Sequence, residues 1–179
     1  MQTYTVKDYE QLKGEDIWEL IKGVFHMSPA PFTLHQRILR ELNKKFNLYF
    51  DNKNNKKCEV FFAPFDVELA EDTIVQPDIS VICDPVKITE KRCVGSPDLI
   101  IEVVSPSSKK KDTIEKLALY REFQVREYWI VFPKEKEVKV YVMDNGEYNK
   151  PQVYTGDETI RAGIEPGLTI DLTDIFKYD

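Results

Sequence analysis

The chain has 179 residues, a formal net charge of −6, and a composition that is 42% hydrophobic and 31% charged. These proportions are typical of a folded globular protein and argue against an intrinsically disordered chain. No apolar run approaches the roughly 20 residues that a membrane-spanning helix needs, so we expect no association with a membrane. The acidic charge disfavours a sequence-reading DNA-binding domain, because such domains are usually basic.

The length suits one compact domain, and no repeat or linker divides the sequence, so we expect residues 1–179 to form a single domain. The N-terminal residues lack the positive and then apolar pattern of a secretion signal, which favours a cytoplasmic protein. The three cysteines are Cys58, Cys83 and Cys93. Because their number is odd and no pair has CxxC spacing, we expect buried thiols in a reducing compartment.

In chain order, the first clear element is a hairpin over residues 17–27 that turns at Lys22-Gly23. A helix over residues 32–50 follows, because apolar side chains recur at every fourth position: Leu34, Ile38, Leu42 and Phe46. The polar residues 51–57 predict a loop after it.

Strands and one further helix account for most of the remaining chain. The helix is predicted over residues 112–123. The run LIIEVV at residues 99–104 is typical of a central strand buried on both faces. Together the elements predict an α/β (α+β) fold, a central mixed β-sheet flanked by helices with an N-terminal hairpin. The predicted strands are residues 59–63, 65–69, 78–83, 99–104, 127–132 and 138–143, with weaker signals at 152–154 and 169–172.

Glu102 is the most informative residue, because it lies inside the apolar run 99–104. An unpaired ionised carboxylate in such a strand costs several kcal/mol or takes up a proton. Glu102 therefore requires a metal ion, a cation or a hydrogen-bond network, or it lies at the solvent-facing mouth of the strand. We interpret it as a functional carboxylate.

Asp78 follows Pro77 at the start of a predicted strand, where sheet proteins commonly carry reactive groups. Taken alone, an aspartate after proline would be interpreted as a turn residue. Asp78 becomes a candidate site residue because Glu102 on a second strand would pair with it. Asp98 competes for this role, but it lies about 13 Å from Glu102 along the same strand. That distance is too long for one metal ion, so we interpret Asp98 as a strand-entry residue.

Lys116 lies within an apolar face of the predicted helix 112–123, together with Leu119, Tyr120 and Phe123. Spacing alone does not decide whether its ammonium group extends to solvent or reaches a buried acidic site. Asp112 could pair with it one turn earlier.

The hairpin and the helix after it carry two further titratable residues. Glu19 either supplies another carboxylate to the site or faces water. His35 is interpreted as a helix-surface residue. The serines at 105, 107 and 108 are interpreted as turn and capping residues, because no histidine lies nearby in a triad pattern.

The run Lys109, Lys110 and Lys111 directly precedes this helix. Most such runs are solvated surfaces. Here the run adjoins the candidate site, where a phosphate backbone would have to pass, so we interpret these lysines as nucleic-acid contacts.

Six stretches together resemble a known family: WELIKGVFHMSPAP, HQRIL, VQPDISVIC, VGSPDLIIEVVSPSS, DTIEKLALY and VREYWIV. They cover most of residues 17–132. In their order and wording they are similar to the Uma-type branch of the PD-(D/E)XK restriction-endonuclease-like superfamily. The resemblance implies a restriction-endonuclease-like core and metal-assisted hydrolysis of phosphodiester bonds in DNA.

The resemblance assigns roles to particular residues. Asp78 matches the motif aspartate, Glu102 the second acidic residue, and Glu19 an acidic position in the hairpin. We therefore expect Asp78, Glu102 and the backbone carbonyl of Val103 to bind Mg²⁺ or Mn²⁺. Lys116 would orient the attacking water or neutralise the phosphate.

Two positions depart from the expected pattern. Val104 stands where the superfamily carries a lysine, and Lys116 replaces that lysine from the following helix, as in the Uma-type branch. Gln124 stands where that branch usually has glycine. The missing strand lysine and the acidic charge keep a non-catalytic binding or assembly module open as an alternative, with the carboxylates paired internally. A hydrolase of another phosphate ester is a third possibility.

Cleavage of both strands of a duplex is commonly the work of a dimer, so the resemblance also suggests a homodimer. The predicted strands 127–132 and 138–143, or the C-terminal residues, would supply its interface.

Overall fold

The computed structural model describes residues 3–12, 17–28, 30–51 and 58–178. Their strands are β1 (Trp18–Ile21), β2 (Val24–Met27), β3 (Glu59–Phe62), β4 (Val67–Ala70), β5 (Thr73–Val75), β6 (Ile79–Ile82), β7 (Cys93–Val94), β8 (Leu99–Val103), β9 (Glu127–Phe132), β10 (Glu137–Asp144), β11 (Glu147–Tyr148), β12 (Gln152–Thr155), β13 (Thr159–Arg161) and β14 (Thr169–Asp171). Their helices are α1 (Val6–Tyr9), α2 (Thr33–Asp51), α3 (Lys116–Glu122) and α4 (Leu172–Ile175). A 3₁₀ turn spans Pro85–Lys87, and a π-helical turn spans Lys111–Glu115 directly before α3.

The fold is mixed α+β, with a central mixed sheet as the sequence predicts. The strand order of this sheet is β11-β10-β9-β8-β6-β3, and β12 also pairs with β10. The β8 strand runs antiparallel to β6 and parallel to β9, so it lies in the sheet interior. All five of its residues are buried, which confirms the central strand predicted from LIIEVV. A second sheet has the order β2-β1-β5-β4-β7.

The α2 helix covers one face of the central sheet. Its side chains at four-residue spacing, Ile38, Leu42 and Phe46, are fully buried and join a core with Ile101 and Trp129. Burying each such side chain stabilises the fold by about 1.5–3 kcal/mol. The amphipathic helix predicted over 32–50 is therefore confirmed, and its apolar stripe is the surface that holds it to the sheet.

The opposite face of the central sheet packs against α3 and the second sheet. Ile100 and Ile130 of the central sheet join Leu119 and Tyr120 of α3 in this core. Because strand residues alternate between faces, Glu102 shares the face of Ile100 and points into this second layer. The burial pattern of β8 thus places a carboxylate between the sheet and α3.

The predicted N-terminal hairpin is confirmed as β1 and β2, and β1 also pairs with β5 of the second sheet. Both turn residues, Lys22 and Gly23, have positive φ, as two-residue hairpin turns require. A Cβ at Gly23 would lie 3.0 Å from the Cβ of Thr3, so a side chain would not fit there without a shift.

The later elements follow the sequence prediction with some differences. The weak strand signals at 152–154 and 169–172 correspond to β12 and β14, whereas β13 and α4 were not predicted. Gln124 has φ of +58°, which explains physically why glycine suits the turn before β9. Within the predicted loop 51–57, Asp51 ends α2, and residues 52–57 lie outside the described residues.

The expectation of three thiols is wrong for two of the cysteines. Cys58, just before β3, forms a disulfide with Cys83, just after β6, because antiparallel pairing of these strands brings their ends together. Cys93 is a free and buried thiol. Within the described ranges, no helix is both long enough and apolar enough to cross a membrane.

Candidate active site

Glu102 makes two hydrogen bonds inside the layer between β8 and α3. Its Oε1 accepts one from the Lys116 ammonium at 2.7 Å and one from the Tyr120 hydroxyl at 2.9 Å. The side chains of Glu102 and Lys116 are each only 5% exposed. Burial raises the pKa of Glu102 to about 8, because the cost of desolvation and three neighbouring carboxylates outweigh the attraction of Lys116.

Asp78 directly precedes β6, and strand register brings it beside Glu102. Ile79 pairs with Ile101 in these antiparallel strands. Asp78, which precedes Ile79, therefore lies opposite Glu102, which follows Ile101. The Oδ2 atom of Asp78 accepts a hydrogen bond from the Val103 backbone N–H at 2.7 Å. It also lies 3.0 Å from Nε2 of His35 on α2. These two contacts fix the carboxylate at the end of β8.

Glu19 on β1 is the third carboxylate of the site and is 2% exposed. Its Oε1 accepts a hydrogen bond from the Gln76 backbone N–H at 3.0 Å and forms an ion pair with Lys116 at 2.9 Å, and its Oε2 pairs with Lys111. Burial alone would raise the pKa of Glu19, but Lys116 and Lys111 outweigh it and lower the pKa to about 2. Glu19 is therefore ionised and holds both ammonium groups.

The π-helical turn Lys111–Glu115 explains how two lysines reach the same carboxylate. The Lys116 backbone N–H donates to the carbonyl of Lys111, five residues earlier. In an α-helix, residues five apart point about 140° away from each other, whereas a π turn stacks them on one face. The turn also buries Asp112, whose pKa is raised by its burial. Single π turns are frequent at functional sites.

These side chains line one cavity of about 250 Å³, and Val103 and Ser105 lie at its wall. If all four of its carboxylates are ionised, they stand against two ammonium groups and leave an excess of two negative charges. In a buried site such an excess is relieved by taking up protons or by binding a cation. The carboxylates are Glu19, Asp78, Glu102 and Asp112, and the ammonium groups are Lys111 and Lys116.

The structure brings together the four side chains that the sequence suggested as catalytic, Asp78, Glu102, Lys116 and Glu19. Their placement also decides two alternatives that spacing left open, because Lys116 and Glu19 both point into the site and not to solvent.

The lysine run does not form one surface. Lys109 and Lys110 are exposed, with ion-pair partners Glu135 at 3.5 Å and Glu115 at 3.9 Å. Lys111 turns inward to Glu19, so its position differs from the one that a contact to the phosphate backbone suggested.

Sequence reasoning missed His35, Tyr120 and Gln76. The interpretation of His35 as a helix-surface residue is wrong, because its side chain is 11% exposed and contacts Asp78. A carboxylate can only accept, so Nε2 donates and the buried Nδ1 is left without a partner in the described structure. Two signals in the sequence were available. His35 lies in the stretch HQRIL, and Tyr120 follows Lys116 by four residues, which places both on one face of the helix.

The donor set of the described residues does not complete a metal shell, so a divalent ion here would also need oxygens from water or substrate. Nowhere in the described ranges does a group of three His, Cys, Asp or Glu side chains form a metal cage. Mg²⁺ is commonly held by one or two carboxylates, with water and substrate phosphate completing its oxygen shell. Oδ1 of Asp78 and Oε2 of Glu102 receive no hydrogen bond from the described residues, and Val103, the last residue of β8, lines the same cavity.

Comparison with known proteins points to one family. The family model Uma2, described as "Putative restriction endonuclease", matches residues 6–173. The chain resembles the crystal structure of a protein from Anabaena variabilis that is described as a putative nuclease of the family DUF820. The TM-score is 0.80, with 20% sequence identity over 97% of each chain, a likeness that establishes the fold.

A curated relative is the uncharacterized protein slr1290 of Synechocystis sp.. It is 26% identical over 104 residues, which are 56% of this chain and 55% of that protein. The match thus spans little more than half the length of the relative.

Proposed function

The chain belongs to the Uma2 family, whose description is "Putative restriction endonuclease", and from this premise we propose that it is a metal-dependent endonuclease that hydrolyses phosphodiester bonds of DNA. The observation that carries the proposal is the convergence of Asp78, Glu102, Glu19 and Lys116 in one cavity. Asp78 and Glu102, with the Val103 carbonyl, would hold Mg²⁺ or Mn²⁺. A divalent ion there would neutralise the excess negative charge, polarise the phosphate and lower the pKa of a bound water.

Each of the surrounding residues has a task in this proposal. Val103 N–H and His35 fix the orientation of Asp78, and Tyr120 fixes that of Glu102. Lys116 is held by its ion pair with Glu19 at 2.9 Å. Its positive charge would stabilise the negative charge that develops on the phosphate during hydrolysis.

Glu102 would need to lose its proton to act as a ligand, because its pKa of about 8 leaves it largely protonated at pH 7. Binding of a cation is therefore coupled to proton release from this carboxyl group.

A non-catalytic binding module remains the competing function, and one observation favours it. Lys116 contacts Glu102 at 2.7 Å, so this carboxyl group already has a cationic partner within the chain. The cavity and the oxygens of Asp78 and Glu102 that accept no hydrogen bond from described residues favour the nuclease.

A cleavage assay separates the two functions. We expect the protein to cut supercoiled plasmid or single-stranded circular DNA with Mg²⁺ or Mn²⁺ and not with a chelator. Asp78→Asn should lower the rate by at least about 100-fold, the scale of losing one electrostatic stabiliser. Glu90→Gln, at an exposed carboxylate outside the cavity, is the matched control and should cut like the wild type. Equal rates for Asp78→Asn and wild type would contradict the proposal.

A further inference from the structure

A second cavity, of about 590 Å³, adjoins the candidate active site and shares His35 and Ser105 with it. Its size is that of a typical small-molecule site. We call it the side groove; the lining residues that matter for its chemistry are Phe32, Val104, Lys109, Phe132, Lys134 and Glu135.

The side groove combines an apolar floor with an exposed aromatic ring. Phe32, just before α2, is 60% exposed, although an aromatic side chain of that size is normally covered. Phe132 and Val104 form part of the floor and are 5% and 9% exposed.

Positive charge lies at the rim of this apolar surface. The ammonium of Lys109 lies 5.8 Å from the centre of the Phe132 ring, and that of Lys139 lies 5.0 Å from it. Lys134 makes no ion pair with any described residue. Glu135 pairs with Lys109 at 3.5 Å, but both are exposed and such a pair is weak.

We propose that the side groove binds an unpaired nucleobase of the DNA strand whose phosphate enters the active site, so that the substrate is single-stranded or locally opened DNA. The inference rests on the proposed function. Bases stack on aromatic faces while cations contact the adjoining phosphates, which is the pattern of single-strand binding surfaces. A base within a duplex is stacked and paired and has no free face to offer. Continuity with the active site through His35 and Ser105 places this base next to the reacting phosphate.

Equilibrium binding with a chelator present tests the inference without cleavage. Three fluorescent DNA probes of about 16 nucleotides are compared: a single strand, the corresponding duplex, and a single strand of abasic units that keeps the phosphates. We expect the wild type to bind the single strand more tightly than the other two. Phe32→Ala should weaken single-strand binding by about 5- to 100-fold and leave abasic binding unchanged, and Phe32→Trp should restore affinity.

Phe62→Ala is the matched control, because Phe62 is 54% exposed and does not line the side groove. Thermal melting verifies that each variant is folded. Equal affinity of Phe32→Ala and wild type for the single strand, or an equal loss in Phe62→Ala, would overturn the side groove as a base site and leave the nuclease proposal standing. Failure of the wild type to bind any of the probes, together with no metal-dependent cleavage, would overturn both.

Discussion

Replacement of Glu102 by glutamine should change how the stability of the protein depends on pH. Glu102→Gln keeps the shape of the side chain and an oxygen that can accept from Lys116 and Tyr120, but it cannot ionise. In the wild type, burial raises the pKa of Glu102 from 4.5 to about 8. Between these values the folded chain holds a proton that the unfolded chain has released, so the free energy of unfolding falls as pH rises.

The size of the effect follows from the width of that pH window. Each pH unit within it is worth about 1.4 kcal/mol for one proton, so the wild type loses on the order of a few kcal/mol as pH rises through this window. The contribution is fully present below pH 4.5 and is lost as pH rises through about 8. In Glu102→Gln it is absent, so relative to the wild type the variant should gain stability with rising pH.

The assay is urea unfolding of both proteins at pH 5, 7 and 9 in the presence of a chelator. The quantity to compare is the difference in unfolding free energy between variant and wild type at each pH, because the other titrating groups then largely cancel. A difference for Glu102→Gln that does not change with pH would refute the reasoning that Glu102 is protonated in its buried site.

Three other changes test separate parts of the structure. Lys116→Met should lower the cleavage rate by about 100- to 1,000-fold while changing DNA affinity little, because its charge acts on the developing phosphate charge; single-turnover rates and binding curves separate the two effects. His35→Ala should weaken Mn²⁺ binding by about 10- to 100-fold in calorimetry, because Asp78 loses its support, and His35→Gln should recover part of the affinity. Leu42→Ala should cost about 2–5 kcal/mol in urea unfolding, because Leu42 is fully buried, whereas Leu48→Ala on the same helix, at a position 49% exposed, should cost little.

Strong periodicity made the main elements predictable from the sequence. The stripe of α2 and the apolar run of β8 can be buried in only one way, so both elements lie where expected. The edge strands and α4 have short, mixed patterns, and their structure depends on tertiary pairing that local sequence does not show.

The site was predictable in its carboxylates but not in their partners. Glu102 is conspicuous because a charge inside an apolar strand needs an explanation. His35 is not, because its role depends on how α2 crosses the end of β6. Lys111 reaches Glu19 only because the helix opens into a π turn, and no spacing rule for α-helices would place it there. The disulfide likewise depends on strand pairing, which joins two cysteines 25 residues apart in sequence.

A crystal structure of the wild type with Mn²⁺, with anomalous scattering to locate the ion, tests the central claim most directly. We predict an anomalous peak within direct coordination distance of the carboxylates of Asp78 and Glu102 and of the Val103 carbonyl oxygen. A cavity without such a peak at saturating Mn²⁺, with Lys116 still bonded to Glu102, would contradict the account and favour the non-catalytic module.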